Sequence, residues 1–132
     1  MGFEAYGKSL EELFRNCALA IFVTTADLKK IDAKEKKEVK LQADNVERLL
    51  YDFLSETLYL RDVNSMIFKD CSLKISKEGG FSLKATLTGE KINPKKHELR
   101  RDIKAVTMHL FEVKQVVGRS GKQWKAKVVL DV

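Results

Sequence analysis

Proline occurs once in the 132 residues, at position 94, and glycine only seven times. So sparse a supply leaves no Pro- or Gly-rich linker to divide the chain, and no low-complexity stretch appears. A length of this order suits one domain that buries its own core without covalent staples. Cysteine occurs twice, at Cys17 and Cys71, with no C-x-x-C pair. That excludes a cysteine-based zinc site and a disulfide scaffold. Two thiols in unrelated apolar patterns read as reduced core residues of a cytoplasmic protein. No apolar run approaches the ~18 residues of a membrane span. The opening residues, MGFEAYGKSL, lack the basic-then-apolar order of a secretory signal. Aromatic residues make up 8% of the chain. They fall mainly at core-facing positions, which excludes the aromatic strand platform of an RRM-type sheet. A Gly-rich phosphate loop is missing too, since Gly79-Gly80 reads as a hairpin turn rather than the entry to a helix. So are H-E-x-x-H and a nucleophile elbow. The residues offer no self-contained active site.

What is present is charge, unevenly placed. Lys and Arg number 25 against 19 Asp and Glu. Residues 1–66 hold 10 basic against 12 acidic side chains, and residues 67–132 hold 15 against 7. A basic half suits an anionic partner, such as nucleic acid or an acidic protein face; its plainer explanation is a lysine-rich solvated surface.

The apolar pattern supplies the elements. Gly2–Gly7 alternates as a short strand. Ser9-x-x-Glu12 is a capping box, and Leu10, Leu13, Phe14, Cys17, Ala18 and Ile21 then mark one helix face, which the β-branched run Val23-Thr24-Thr25 should end. A charged connector over 27–37 precedes a short strand at 38–42. Asp44 and Glu47 are placed to cap a second helix reaching residues 60–63, with Val46, Leu49, Leu50, Phe53, Leu54 and Leu58 inward. Period-two alternation over 67–76 and 81–87 brackets the turn Glu78-Gly79-Gly80. A loop at 89–99 contains Pro94. The run 102–116 is apolar at odd and even positions alike and reads as the central strand of a sheet. Gly118-Arg119-Ser120-Gly121 reads as a second hairpin turn, and Trp124, Ala126, Val128, Leu130 and Val132 line one face of the last strand. The expected class is α+β, with two helices packed as a layer on a mostly antiparallel sheet.

One stretch, GEKINPKKHELRRDIKAVTMHLFEV (89–113), holds the single proline, both histidines and the densest basic cluster. It presents a polar loop at the mouth of a buried strand, with Lys104 just inside, where a rigid scaffold tends to display chemistry. His97 and Glu98 lie near the same strand end; a surface histidine is their plainer reading. Lys95, Lys96, Arg100 and Arg101 read as a solvated basic loop or as contacts to phosphate or a partner. His109 reads as core, as does Trp124. Asp131 alone would be a frayed terminal carboxylate. However, the apolar run 128–130 should pin it in the sheet, and two adjacent carboxylates repel unless a cation lies between them.

Four segments carry a resemblance: EAYGKSLEELFRNCALAIF (4–22), LLYDFLSETLYLRD (49–62), the 89–113 stretch with its GE–P–HE–KA(V/I)T order, and WKAKVVLDV (124–132). Together they resemble the archease family over nearly the whole chain. The resemblance implies a compact two-layer α+β fold over residues 1–132. It also implies a role as a non-catalytic activator of the RtcB-type tRNA-splicing RNA ligase, promoting that ligase's guanylylation and multiple turnover. It implies a metal site of acidic oxygens at the chain end, here Asp131 and Val132, binding a hard divalent cation, Ca²⁺ or Mg²⁺, with Lys104 at a position tied to function. The family usually opens with an H-T-A-D-like strand whose aspartate adds a metal ligand. That segment is not seen before Gly2-Phe3, so a weakened metal site is expected. Two rival functions are a basic RNA-binding module with residues 95–101 as its footprint, and a chaperone-like protein.

Overall fold

The computed structural model describes residues 1–119 and 121–132. In chain order it contains strand β1 (Gly2–Gly7), helix α1 (Leu10–Thr25), one 3-10 turn (Leu28–Lys30), β2 (Glu35–Ala43), α2 (Val46–Asn64), β3 (Met66–Ser76), β4 (Phe81–Lys91), β5 (Ala105–Gly118) and β6 (Gly121–Asp131). The α+β class holds, with two helices and antiparallel pairing throughout. The strands divide into two three-stranded sheets, ordered β1-β6-β5 and β2-β4-β3.

Local chemistry sets the helix ends. The Ser9 hydroxyl accepts the Glu12 amide at 3.1 Å, and the Glu12 carboxylate accepts the Lys8 amide at 3.2 Å. The second helix is capped one residue later than the sequence suggested. Asn45, not Asp44, accepts the Arg48 amide, at 2.8 Å, because Asx side chains compete for this role and the one whose oxygen reaches the N3 amide takes it. Six of the inward residues expected for α1 and five of those expected for α2 are buried. Phe14 and Phe53 stack across the two helices with ring centroids 6.1 Å apart. Helix α1 packs on β3 and β1, and α2 on β5 and β2, so each helix bridges the two sheets and one core cluster draws on both.

Several sequence expectations need correction. The connector is shorter and β2 longer than read, and β4 continues to Lys91, because β2 pairs with β4 from Glu35↔Gly89 to Ala43↔Phe81. The run 102–116 is not a central strand. Strand β5 begins at Ala105, pairs only with β6 and forms an edge; β6 is central, between β1 and β5. The two-sided apolar pattern has a local cause. Register breaks between Thr107 and Glu112, Leu110 takes a φ of 54°, and Met108 and Leu110 stand 51% and 59% exposed. His109 lies in the same bulge and is exposed, not core. Trp124 is half-buried at the rim of the core, with the Lys77 ammonium 5.9 Å from its ring centroid. The turn proposed for 118–121 includes Ser120, which lies outside the described residues. No helix among the described residues is long and apolar enough to cross a membrane.

Candidate functional site

The sequence-predicted residues separate into two places. The first is a closed polar cluster at the base of the loop. Glu90, at the end of β4, has a side chain only 7% exposed. Its Oε2 accepts the Asp32 amide at 2.6 Å, and Lys96 Nζ donates to the same oxygen at 2.8 Å. His97 Nε2 lies 3.0 Å from it. His97 Nδ1 accepts the Asn93 amide at 2.9 Å, so the ring proton belongs on Nε2, directed at Glu90. The Asp32 amide, Lys96 and His97 together pull the Glu90 carboxyl down to about 2. Lys96 also binds the Asp32 carboxylate at 2.7 Å, and its own pKa is raised, first by Asp32 and then by Glu90.

This arrangement changes the roles expected for the loop. His97 is buried rather than a surface histidine, and its ring is committed to Glu90 and to the loop backbone. Glu98 pairs with Lys30 at 3.2 Å on the surface. Lys96 is held by two internal carboxylates. Lys95 is exposed, its amide bonded to the Asn93 side chain. The backbones of Arg100 and Arg101 bond the Thr25 and Thr24 carbonyls at the end of α1, at 2.8 and 3.2 Å. The loop backbone is pinned at these points, while the side chains of Lys95, Arg100 and Arg101 stay exposed, as read. Glu90 was not among the predicted residues. Its signal was the acid in the Gly89-Glu90 pair where β4 meets the loop, with a lysine and a histidine six and seven positions on.

The second place is the chain end. The Lys104 amide donates to the Asp131 carbonyl at 2.8 Å, and Ala105 pairs with Asp131 in the β5–β6 register. Lys104 therefore sits one residue before the strand, beside the terminus of β6. Its approach is fixed from behind by Arg61, at the end of α2. That guanidinium donates to the Ile103 carbonyl at 2.8 Å and to Asp102 at 3.3 Å. Ile103, fully buried, locks the same segment into the core. Arg61 was not singled out from sequence, although it lies in the LLYDFLSETLYLRD segment. An open cleft of about 410 Å³ adjoins this place, lined by Arg61, Arg100, Arg101 and Asp102 among others. His97 and Glu98 belong to the first place and make none of these contacts.

The side chains of Lys104, Asp131 and Val132 are exposed. For a hard cation the donor chemistry is right: the Asp131 carboxylate and a backbone oxygen of Val132 belong to neighbouring residues. The count is short. Among the described residues no group of three or more His, Cys, Asp or Glu side chains is placed to hold a metal ion, whereas such a cation takes about six to eight oxygens. The terminus fits part of a coordination sphere.

Comparison with known proteins places this geometry in context. A family model described as the archease protein family matches residues 1–132. Protein archease of Pyrococcus abyssi is 38% identical over 133 residues, covering 100% of this chain and 92% of that protein. The solution structure of Methanobacterium thermoautotrophicum protein 1598 superposes with a TM-score of 0.81 at 36% identity, covering 99% of this chain and 91% of that one. A crystal structure from Thermotoga maritima, described as an archease and possible chaperone, gives a TM-score of 0.65 at 27% identity, covering 100% and 90%.

Proposed function

Because this chain belongs to the archease family, we propose that it is a non-catalytic activator of an RNA ligase, the RtcB-type tRNA-splicing enzyme, and that it works through its chain end. The observation that carries this reading is the bond from the Lys104 amide to the Asp131 carbonyl. It fixes the backbone of Lys104 against that of Asp131 at the tip of a central strand, where the side chains of Lys104, Asp131 and Val132 are exposed. Flexible termini do not present charges in a fixed order; this one is held by a ladder on one side and by Arg61 behind it.

In this reading Asp131 and Val132 supply oxygen ligands to Ca²⁺ or Mg²⁺, and water or the partner completes the sphere that the chain leaves partial. Such a cation, when bound, offsets negative charge near a phosphate. Lys104 is a compact point charge suited to a phosphate oxygen or a ligase carboxylate. Arg61 holds the segment at the angle from which Lys104 projects. The RNA-module alternative loses Lys96, which is internally paired, while Lys95, Arg100 and Arg101 keep exposed side chains.

The test is transfer of labelled guanylate to the ligase histidine, with and without this protein. Asp131→Ala and Lys104→Ala are each expected to lose most of the stimulation while keeping the wild-type melting temperature, since both side chains are exposed. Calorimetric titration with Ca²⁺ should show weaker binding to Asp131→Ala than to wild type. Full stimulation by both folded variants would remove the chain end from the mechanism.

A further inference from the structure

The outward face of the β2-β4-β3 sheet carries a charge pattern with no role in the chain-end site. The register places Lys40 opposite Lys84, and Lys84 opposite Lys74. Three lysines thus stand in one row across all three strands. Alternation turns Val39, Leu83 and Ala85 into the core and leaves Lys40, Lys74 and Lys84 exposed. Neighbouring strands lie about 4.8 Å apart, so the row extends over roughly 10 Å. Among the described residues none of the three has an ion-pair partner; the lysines that do are Lys30, Lys34, Lys96, Lys114 and Lys125.

The rows on either side are Glu38–Thr86–Ser72 and Gln42–Ser82–Ser76. Glu38 is the one acid in them; Asp70, further along the face, is bound by Arg15 at 3.0 Å. Between the Glu38–Thr86–Ser72 row and the lysines runs an open trough of about 310 Å³, lined by Glu38, Lys40, Ser72, Lys74, Lys84 and Thr86 among others. Like charges directly opposite one another weaken a sheet. Lysines on edge strands have a known use, since they discourage pairing with another chain. That accounts for Lys40 on β2 and Lys74 on β3. It does not account for Lys84, which sits on the central strand, where both edges are already paired.

We propose that this lysine row is a binding site for the phosphodiester backbone of single-stranded nucleic acid. A line of point charges matches a linear polyanion, and the flanking hydroxyl and amide groups are the usual further donors to phosphate oxygens. The two flanking rows carry no aromatic side chain for bases to stack on, so binding is independent of base identity. They carry no apolar side chain to enter a lipid surface either, which sets a membrane aside. The inference rests on the sheet and stands apart from the chain-end reading.

The experiment is fluorescence anisotropy of labelled oligouridylate and oligothymidylate across a salt series, using the full chain. Three phosphate contacts give a slope of log affinity against log salt of about −2, at roughly −0.7 per contact on a single strand. Both oligomers are expected to bind alike. Lys84→Thr should flatten the slope by about 0.7, and replacing all three lysines by Gln should abolish binding. Lys84→Thr should also melt higher than wild type, because it removes the central repulsion; lost binding with gained stability is not what misfolding produces. Guanylylation of the ligase measured without RNA should be unchanged in this variant, which separates failure here from failure at the chain end. The inference is overturned if wild type fails to bind at low salt, or if the triple variant binds as wild type does. It is equally overturned if binding is lost only on replacing Arg100 and Arg101. Oligoglutamate or anionic vesicles binding in preference to the oligonucleotides would assign the face to an acidic protein or a membrane instead.

Discussion

Glu90 stays ionised in a nearly closed setting because three donors face it: the Asp32 amide, Lys96 and His97. In the unfolded chain its carboxyl returns to the ordinary glutamate range, while in the fold it sits at about 2. Between those two values the unfolded state binds more protons than the folded state, so stability rises with pH there. The contribution is complete above the ordinary range and is lost as pH falls through about 2. Glu90→Gln should be less stable than wild type at neutral pH. It should also show a shallower fall in melting temperature on acidification, since Gln has no proton to take up. Circular-dichroism melts of both proteins from neutral to strongly acidic pH check this; parallel profiles would mean that the cluster does not set the acid limb. The same contacts explain why His97 was misplaced from sequence. A histidine between Lys96 and Glu98 looks solvated until the buried carboxylate beneath it is known.

At the scale of elements, the position of Glu90 depends on how closely β4 approaches β3. A Cβ at Gly89 would lie 1.9 Å from the Ile67 carbonyl oxygen and 2.8 Å from the Phe68 Cα. Both obstacles are backbone, next to the register shift between Phe68 and Asp70. Gly89→Ala must therefore push the strands apart, at the cost typical of overpacking, about 1–3 kcal/mol or more. Urea unfolding measures it; a variant as stable as wild type would mean that the strands separate freely at this point. The helices and hairpin strands were legible in the sequence because periodicity and capping are local. The α1 face from Leu10 to Ile21 and the alternation in β3 and β4 needed no distant information. Strand neighbours were not legible. Strand β5 looked central because Met108 and Leu110 filled its second face, and only pairing with β6 reveals the bulge that exposes them. Nor does periodicity divide six strands into two sheets. No local signal carries the backbone contact between Lys104 and Asp131, which lie 27 positions apart in the chain.

For the whole molecule the question is whether two sheets make one cooperative unit. The helices argue that they do. Helix α1 touches β3 of one sheet and β1 of the other, α2 touches β2 and β5, and Phe14 stacks on Phe53 between them. Cys17 on α1 and Cys71 on β3 report on this. Both are buried, and burial pushes each thiol up to about 12. Neither can form the reactive thiolate while folded. A thiol reagent then reads the free energy of whatever opening exposes each one. With Cys71→Ala the reagent sees Cys17, and with Cys17→Ala it sees Cys71. If the core opens as a whole, each labelling free energy should equal that variant's own global unfolding free energy from urea. Labelling of Cys71 at a much lower free energy, with Cys17 still tracking global unfolding, would mean that the β2-β4-β3 sheet detaches from α1 by itself. The Lys40–Lys84–Lys74 row would then sit on a separately mobile platform, and charge repulsion in that row would weaken one sheet instead of the whole fold.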